Sequence, residues 1–192
     1  MSTQTTGLEF VVEARHDRAS AEHIARVHAK PTFGAAFTDH MVRIEWDRDR
    51  GWHDARVTPY APITLDPSAS VFHYGQEIFE GMKAYRHEDG SVWTFRPELN
   101  AARFNRSAAR LAQSLREMVQ ADKAWVPEPG EGGENSLYLR PFMIATEPAL
   151  GVRPSNSALY CIIASPVGPY FPTGLKPVSI WVSEDYVRAA PG

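Results

Sequence analysis

Residues 82–95 read MKAYRHEDGSVWTF, and this stretch decides how the surrounding chain is organised. Two apolar runs, 82–86 and 91–95, flank the polar turn 87–90. The Asp89-Gly90 pair within that turn is a strong signal for a tight connection between antiparallel strands. We therefore predict a β-hairpin over these residues.

Further strands are predicted on both sides of this hairpin. Apolar and polar residues alternate in 8–14 and in 41–47, and 55–60 is placed to pair back onto 41–47 after a polar turn. Segments 137–146 and 158–165 have the composition of buried strands.

Two helical segments accompany the strands. A short helix is predicted at 20–29, before Pro31. From Pro97 or Asn100 onward, apolar residues recur every three or four positions, at Phe104, Ala108, Leu111, Leu115, Met118 and Val119. The combination predicts an α/β (α+β) fold in which helices flank an antiparallel sheet.

A cluster of proline and glycine indicates a domain boundary. Its members are Pro166, Gly168, Pro169, Pro172, Gly174 and Pro177. We predict a domain at 1–167, a linker at 168–177, and the incomplete start of a second domain at 178–192, which begins with a strand from Val178.

The composition excludes several classes of protein. Of the 192 residues, 43% are hydrophobic and 22% are charged, so a disordered chain is not expected. The net charge of −3 argues against a partner such as nucleic acid or an anionic membrane. No apolar run approaches the roughly 20 residues of a membrane span, and residues 1–13 lack a signal-peptide pattern. With Cys161 as the single cysteine and with scattered histidines, we expect a cytoplasmic protein without a metal site.

A series of motifs in fixed order gives the chain a family resemblance. Two are long, FGAAFTDHM at 33–41 and HYGQEIFEGMKAY at 73–85, and shorter ones lie at 95–97, 100–103, 107–111, 136–141, 147–152, 166–171 and 186–189. Over about 31–192, the chain resembles the amino-terminal portion of branched-chain amino acid aminotransferases.

The resemblance implies both a fold and an activity. The fold is type IV of the pyridoxal phosphate (PLP) enzymes, in which a small domain precedes a larger one with a barrel-like sheet. The activity is transfer of an amino group from leucine, isoleucine or valine to 2-oxoglutarate, yielding glutamate and the branched 2-oxo acids. PLP performs the carbanion chemistry while the protein binds and orients. The resemblance also implies a homodimer.

Two arginines are implied to bind the cofactor. Arg103 matches the family's phosphate arginine, and a bidentate guanidinium suits a phosphate that is close to a dianion. We place Arg103 in the first turn of its helix, where the macrodipole disfavours a cation unless an anion binds beside it. Arg188 matches a second arginine near the cofactor. Without the resemblance, Arg103 would be a solvated surface residue and Arg188 a charge at a strand end.

The predicted substrate residues begin with Tyr138 and Arg140, which share one face of a strand because side chains alternate. The family uses this pair near the substrate. One pocket must accept both an apolar side chain and the side-chain carboxylate of glutamate, and an arginine at its rim can serve the second. The resemblance adds three aromatic walls and a loop that reaches the other subunit's active site: Phe33, Tyr74 and Phe79, and Leu150 and Val152. From composition alone, these would be core aromatics and an apolar turn.

The chain departs from the family's pattern in two places. The family's Schiff-base lysine lies beyond Gly192, so no catalytic residue is assigned within 1–192 and we expect the 192-residue chain alone to be inactive. The family also has several more residues between segments such as 110–112 and 115–117, so either a loop is missing from this sequence or two helices are joined in it. We predict the first, with two helices that meet at an abrupt break near Ala112-Gln113 where the loop residues are absent.

Two other kinds of function stay open at this point. One is another fold-type-IV enzyme, a D-amino acid aminotransferase or an aminodeoxychorismate lyase, against which the FEGMKAY segment and the Leu-Gly-Val turn argue. The other is a non-catalytic truncated product that only mediates subunit association.

Overall fold

One curled sheet organises the molecule. A computed structural model describes residues 8–104, 108–130, 134–169, 177 and 179; the side chains of 101–103 and 108–112 are not described. The strands described are β1 (Val11–Val12), β2 (His40–Asp47), β3 (Gly51–Pro59), β4 (Glu77–Phe79), β5 (Met82–Arg86), β6 (Val92–Thr94), β7 (Ser136–Ala145) and β8 (Ser157–Val167). The helices are α1 (Ala21–Ala29), α2 (Ser70–Tyr74), α3 (Pro97–Arg103) and α4 (Ala108–Ala121), with a 3-10 turn at Lys123–Trp125.

The strand order is β1-β3-β2-β8-β7-β5-β6, and β4 also pairs with β7. All pairings are antiparallel except that of β1 with β3, so the sheet is mixed rather than purely antiparallel. The longest pairing joins β7 and β8, in register from Ser136↔Val167 to Ala145↔Ala158. This pairing sets the centre of the sheet.

The two faces of the sheet have different surroundings. Apolar side chains from one face form the main core together with residues of α1, α4 and the 3-10 turn. Its large, almost completely buried members include Ile44, Met118, Trp125, Leu137, Leu139 and Ile162. Burying such side chains contributes roughly 1.5–3 kcal/mol each. The opposite face of β7 and β8 carries the side chains of Tyr138 and Arg140.

Several predicted elements are confirmed. The 82–95 hairpin is present as β5 and β6, with Gly90 at φ 76° in its turn. The pairing of 41–47 with 55–60 and the two buried strands are present as β2–β3 and β7–β8. Helix α1 begins after Ser20, whose Oγ accepts a hydrogen bond from the His23 amide at 3.1 Å. The strand predicted at 8–14 is reduced to Val11–Val12.

The predicted helix break near Ala112-Gln113 is wrong, because α4 runs without interruption from Ala108 to Ala121. Helix α3 ends earlier, at Arg103. No glycine or proline lies between Ala108 and Ala121, so nothing in that stretch of sequence interrupts the helix. Tyr160 contacts both helical segments: its ring lies 5.8 Å from that of Phe104, and its hydroxyl lies 3.0 Å from the Ser114 hydroxyl.

The predicted place of Arg103 within its helix is also wrong. Helix α3 begins at Pro97, and Arg103 is its last residue rather than part of the first turn. The helix macrodipole favours a cation at this end, so the argument that an anion must relieve Arg103 does not hold. The side chain of Arg103 lies outside the described part of the structure.

A buried polar pair ties the amino-terminal segment to this core. The Nδ1 atom of His40 lies 2.6 Å from the Asp122 carboxylate, and the Arg15 backbone amide donates to Nε2 at 3.1 Å. Because Nε2 accepts that bond, the proton of the neutral ring resides on Nδ1 and points to Asp122. Both side chains are almost fully buried.

The predicted interdomain loop 168–177 and the strand predicted from Val178 lie almost wholly outside the described residues, which there comprise only 168, 169, 177 and 179. The domain boundaries therefore stay predictions. Of the helices described, none has the length and apolar character needed to cross a membrane.

Candidate functional site

Tyr138 and Arg140 form the centre of the candidate site on β7. Their side chains share one face, as the strand pattern predicts, and the guanidinium donates to the Tyr138 hydroxyl oxygen from Nε at 3.0 Å and from Nη2 at 2.7 Å. Both residues are partly buried. Among the described residues, no carboxylate lies within 4 Å of Arg140. The site thus holds an oriented cation whose charge is not neutralised by those residues.

Two exposed aromatic rings enclose this pair. Phe33 meets Tyr138 edge to face at 4.9 Å between ring centroids. The Arg140 guanidinium lies 4.6 Å from the centre of the Phe79 ring, close enough for a cation–π contact. Phe33 and Phe79 are 63% and 58% exposed.

A cavity of about 160 Å³ opens between β7, β8 and the segment that carries Phe33. It is lined by Phe33, Gly34, Phe37, Tyr138, Arg140, Ile163, Ala164 and Ser165. The Thr38 amide donates to the Ala164 carbonyl at 3.0 Å and thereby attaches this segment to β8. The cavity is apolar apart from the Tyr138 hydroxyl, the Arg140 guanidinium and Ser165.

Gly81 is a glycine because Tyr138 occupies the space of a side chain. A Cβ atom built on Gly81 would lie 2.9 Å from Cζ of Tyr138 and would overlap its hydroxyl. Asn100 in α3 holds this stretch by donating from Nδ2 to the Gly81 carbonyl and to the Glu80 carboxylate, both at 3.2 Å. The beginning of α3 is therefore connected to Tyr138 through Gly81.

The loop between β7 and β8 presents Leu150 and Val152, which are 72% and 91% exposed. Glu147 organises the loop by accepting hydrogen bonds from the Arg153 guanidinium at 2.7 and 2.9 Å and from the Asn156 backbone amide at 2.8 Å. The Arg153 side chain, followed by Asn156, lowers the pKa of Glu147 to about 2. The loop is held by its own charges while its apolar residues face outward.

The predicted site residues divide into those that meet and those that do not. Phe33, Phe79, Tyr138 and Arg140 contact one another as described above. Tyr74, at the end of α2, packs beside His73 with 6.1 Å between ring centroids. Leu150 and Val152 lie on their loop, and Arg103 ends α3. Arg188 lies outside the described residues. The roles assigned to all of these residues stay predictions.

Sequence reasoning missed Gly81, Ile163 and Ser165. Gly81 stands inside the motif at 73–85, but its close approach to Tyr138 is visible only in the structure. The other two are cross-strand partners of Arg140 and Tyr138, respectively. They would have been found once 137–146 and 158–165 were paired in register.

Neither Cys161 nor the described histidine and acidic residues form a further candidate site. Burial raises the pKa of Cys161 to about 12, and the thiol is fully buried in β8, as expected for a small core residue. No cluster of histidine, cysteine and acidic residues with the geometry of a metal site occurs in the described ranges.

Comparisons with known proteins were made by sequence and by structure. No family model matches the chain. The branched-chain-amino-acid aminotransferase of Mycolicibacterium smegmatis is 57% identical over 96% of this chain and 52% of its own length. The probable branched-chain-amino-acid aminotransferase of Streptomyces coelicolor is 55% identical over 100% of this chain and 54% of its own length.

A solved structure agrees in fold. The branched-chain aminotransferase of Thermoproteus uzoniensis, crystallised with norvaline, superposes with a TM-score of 0.51, over 69% of this chain and 43% of that one, at 21% identity. The mixed sheet with helices is thus the fold type IV arrangement that the resemblance implied.

The Streptomyces alignment also bears on chain length. It spans 202 positions, whereas this chain has 192 residues, so about ten positions of the relative have no counterpart here. Helix α4 nevertheless runs through Ala112 and Gln113 without a break, and the placement of the relatives' additional residues at this point stays a prediction. The chain spans about half the length of the curated relatives it matches. At 55–57% identity over nearly all of its residues, it belongs to the family of branched-chain-amino-acid aminotransferases.

Proposed function

We propose that the full-length protein containing this chain is a branched-chain aminotransferase. It moves an amino group between leucine, isoleucine or valine and 2-oxoglutarate, with PLP as cofactor. The names of the curated relatives support the reaction. The residues around Arg140 support the substrate class.

The observation that carries the substrate class is the cation beside an apolar cavity. Arg140 is partly buried, is oriented by Tyr138 and Phe79, and lacks an acidic partner among the described residues. A branched aliphatic side chain fits against Phe33 and the apolar wall, whereas the distal carboxylate of glutamate or 2-oxoglutarate binds Arg140. One site thereby accepts both partners of the reaction.

The placement of α3 fits a bound PLP. Asn100 contacts Gly81, which abuts Tyr138. Position 103 lies three residues further along α3, and positions three apart are neighbours on a helix surface. By the family resemblance, Arg103 is our predicted phosphate ligand, with Arg188 as a second cofactor arginine. When bound, PLP supplies the electron sink that stabilises a carbanion; the residues of this chain bind the substrate side chain and shield it from water.

A homodimer is part of the proposal. Leu150 and Val152 are held outward by the Glu147 network, as expected of side chains that cover the active site of a second subunit. Exposed apolar residues on an ordered loop suit a protein interface.

The substitution Arg140→Met in the full-length enzyme tests the function. It removes the charge and keeps an apolar side chain of similar length. The Michaelis constant for glutamate is expected to rise about 30-fold or more, equivalent to roughly 2 kcal/mol for a lost buried charge contact. The constant for leucine is expected to change by less than about threefold.

Arg43→Met is the matched control. Arg43 lies on the same sheet face two strands away, and it is already paired with Glu45 at 3.2 Å. The Arg43→Met substitution should leave the Michaelis constants for glutamate and leucine unchanged. Equal losses for glutamate and leucine in Arg140→Met would mean that Arg140 is structural or binds the shared α-carboxylate. Activity restricted to D-amino acids would favour another fold-type-IV enzyme.

A further inference from the structure

Three buried side-chain oxygens lack a hydrogen-bond partner in the described part of the molecule: Oγ1 of Thr58 and Oγ of Ser136 and Ser165. The large majority of buried polar side-chain atoms are partnered, so each exception needs an explanation. Two of the three, Ser136 and Ser165, lie on the sheet face that carries Tyr138.

Ser165 stands out because it also lines the candidate site. It is the register partner of Tyr138 across the β7–β8 pairing, which places both side chains on one face. It is 3% exposed, and it contributes to the wall of the 160 Å³ cavity together with Arg140. Ser136 lies diagonally across, opposite Val167, and is not part of that wall.

The polar side chains around the cavity mainly offer hydrogen-bond donors. The Tyr138 oxygen already accepts two N–H groups of Arg140, so its own O–H is available to donate. The guanidinium retains further N–H groups, and the Ser165 O–H adds another donor. A carboxylate offers about four lone-pair positions and can accept from all three residues.

The two classes of substrate arm differ in what they offer these donors. A carboxyethyl arm, as in glutamate and 2-oxoglutarate, ends in a carboxylate that accepts hydrogen bonds. A branched aliphatic arm of three or four carbons offers no acceptor.

We infer that the Ser165 hydroxyl donates a hydrogen bond to the distal carboxylate of the dicarboxylic substrate. This rests on the proposed function and adds a residue that determines specificity. With the dicarboxylate bound, Ser165, Tyr138 and Arg140 surround the same carboxylate group. With a branched aliphatic side chain bound, the serine hydroxyl stays without a partner, so Ser165 favours the dicarboxylate alone.

The test compares Ser165→Ala with Ser136→Ala in the full-length holoenzyme. Both variants remove one unpartnered buried hydroxyl from the same face, but only Ser165 lines the cavity. The readouts are kcat/KM for glutamate and leucine, and calorimetric dissociation constants for two unreactive probes, glutarate and 4-methylpentanoate. Ser165→Ala should lower kcat/KM for glutamate and raise the dissociation constant of glutarate by about 10-fold or more, as for a lost hydrogen bond to a charged group. The corresponding values for leucine and 4-methylpentanoate should change by less than about twofold. Ser136→Ala should change none of the four values.

Three results would overturn the inference: no change for glutarate in Ser165→Ala, equal weakening of both probes, or the same selective loss in Ser136→Ala. Its failure can be told apart from failure of the proposed function. If the unsubstituted protein does not transaminate, the proposed function is wrong, and the two probes still decide what Ser165 binds.

Discussion

Gly81→Ala probes the contact that holds Tyr138 in place. The added Cβ would lie 2.9 Å from Cζ of Tyr138, whereas ordinary contacts of a Cβ atom begin near 3.4 Å. The ring must therefore shift by at least the difference of 0.5 Å, and by more at its hydroxyl, which the Cβ would overlap. Tyr138 is not free to move without loss, because Phe33 packs on its ring and Arg140 donates twice to its oxygen.

The expected cost follows from this geometry. Overpacking at a constrained position destabilises a protein by roughly 1–3 kcal/mol. Displacing the phenol also withdraws the oxygen that orients Arg140, and a misplacement of 1 Å near reacting groups can lower a rate by about 100-fold. We expect Gly81→Ala to lower the free energy of unfolding by about 1–3 kcal/mol and to raise the Michaelis constant for glutamate by about 10-fold or more.

A double-mutant cycle in the full-length enzyme isolates the cause. All three nearest atoms to the added Cβ belong to Tyr138. In a Tyr138→Ala background, Gly81→Ala should therefore change unfolding, measured by denaturant titration, by less than about 0.5 kcal/mol. A full loss of 1–3 kcal/mol in that background would refute the reasoning, because the cost would then arise elsewhere. So would a Gly81→Ala enzyme with unchanged stability and an unchanged Michaelis constant.

Three further outcomes are expected. The pKa of Glu147 is held at about 2, below its ordinary value of 4.5, so the ionised side chain stabilises the loop fully above about pH 4.5 and loses this effect as the pH falls towards 2. Hydrogen exchange of the loop amides should become faster over that range. Glu147→Gln should abolish the pH dependence. His40→Ala removes the ring N–H that donates to the buried Asp122 carboxylate and should cost about 1–3 kcal/mol in denaturant titration, whereas a loss below 1 kcal/mol would contradict the buried-pair interpretation. Cys161, buried and with its pKa raised to about 12, should resist iodoacetamide at pH 8 until the protein unfolds, and rapid labelling of the native protein would disprove that.

The longer elements of the fold could be predicted because their apolar patterns repeat often enough to be recognised. β2, β7, β8 and α1 each contain several periods or a cap. Helix α2 and strand β4 were missed because they have five and three residues, too few to show a period. They form through tertiary contacts: β4 pairs with the far end of β7, from Glu77↔Ile144 to Phe79↔Phe142.

The candidate site was predictable where it depends on spacing along one strand. Tyr138 and Arg140 are two residues apart, so alternation alone places them together. Ser165 depends on the register of β7 with β8, and Gly81 on a close approach of two segments; neither is encoded in local pattern. Arg103 was misplaced because α3 begins at Pro97 and ends after seven residues, whereas the apolar stripe continues through both α3 and α4 and hides that end.

The site and the core depend on the same alternation in β7. Leu137 and Leu139 are fully buried on the helix-covered face, while Tyr138 and Arg140 point to the other. A shift of one residue would turn Arg140 into the core and both leucines out of it. Burying an unpaired guanidinium costs several kcal/mol, and each leucine loses roughly 1.5–3 kcal/mol of burial, so the alternative register is strongly disfavoured. The hydrophobic pattern that stabilises the sheet therefore also presents an oriented cation to the open face, where an anionic ligand can reach it.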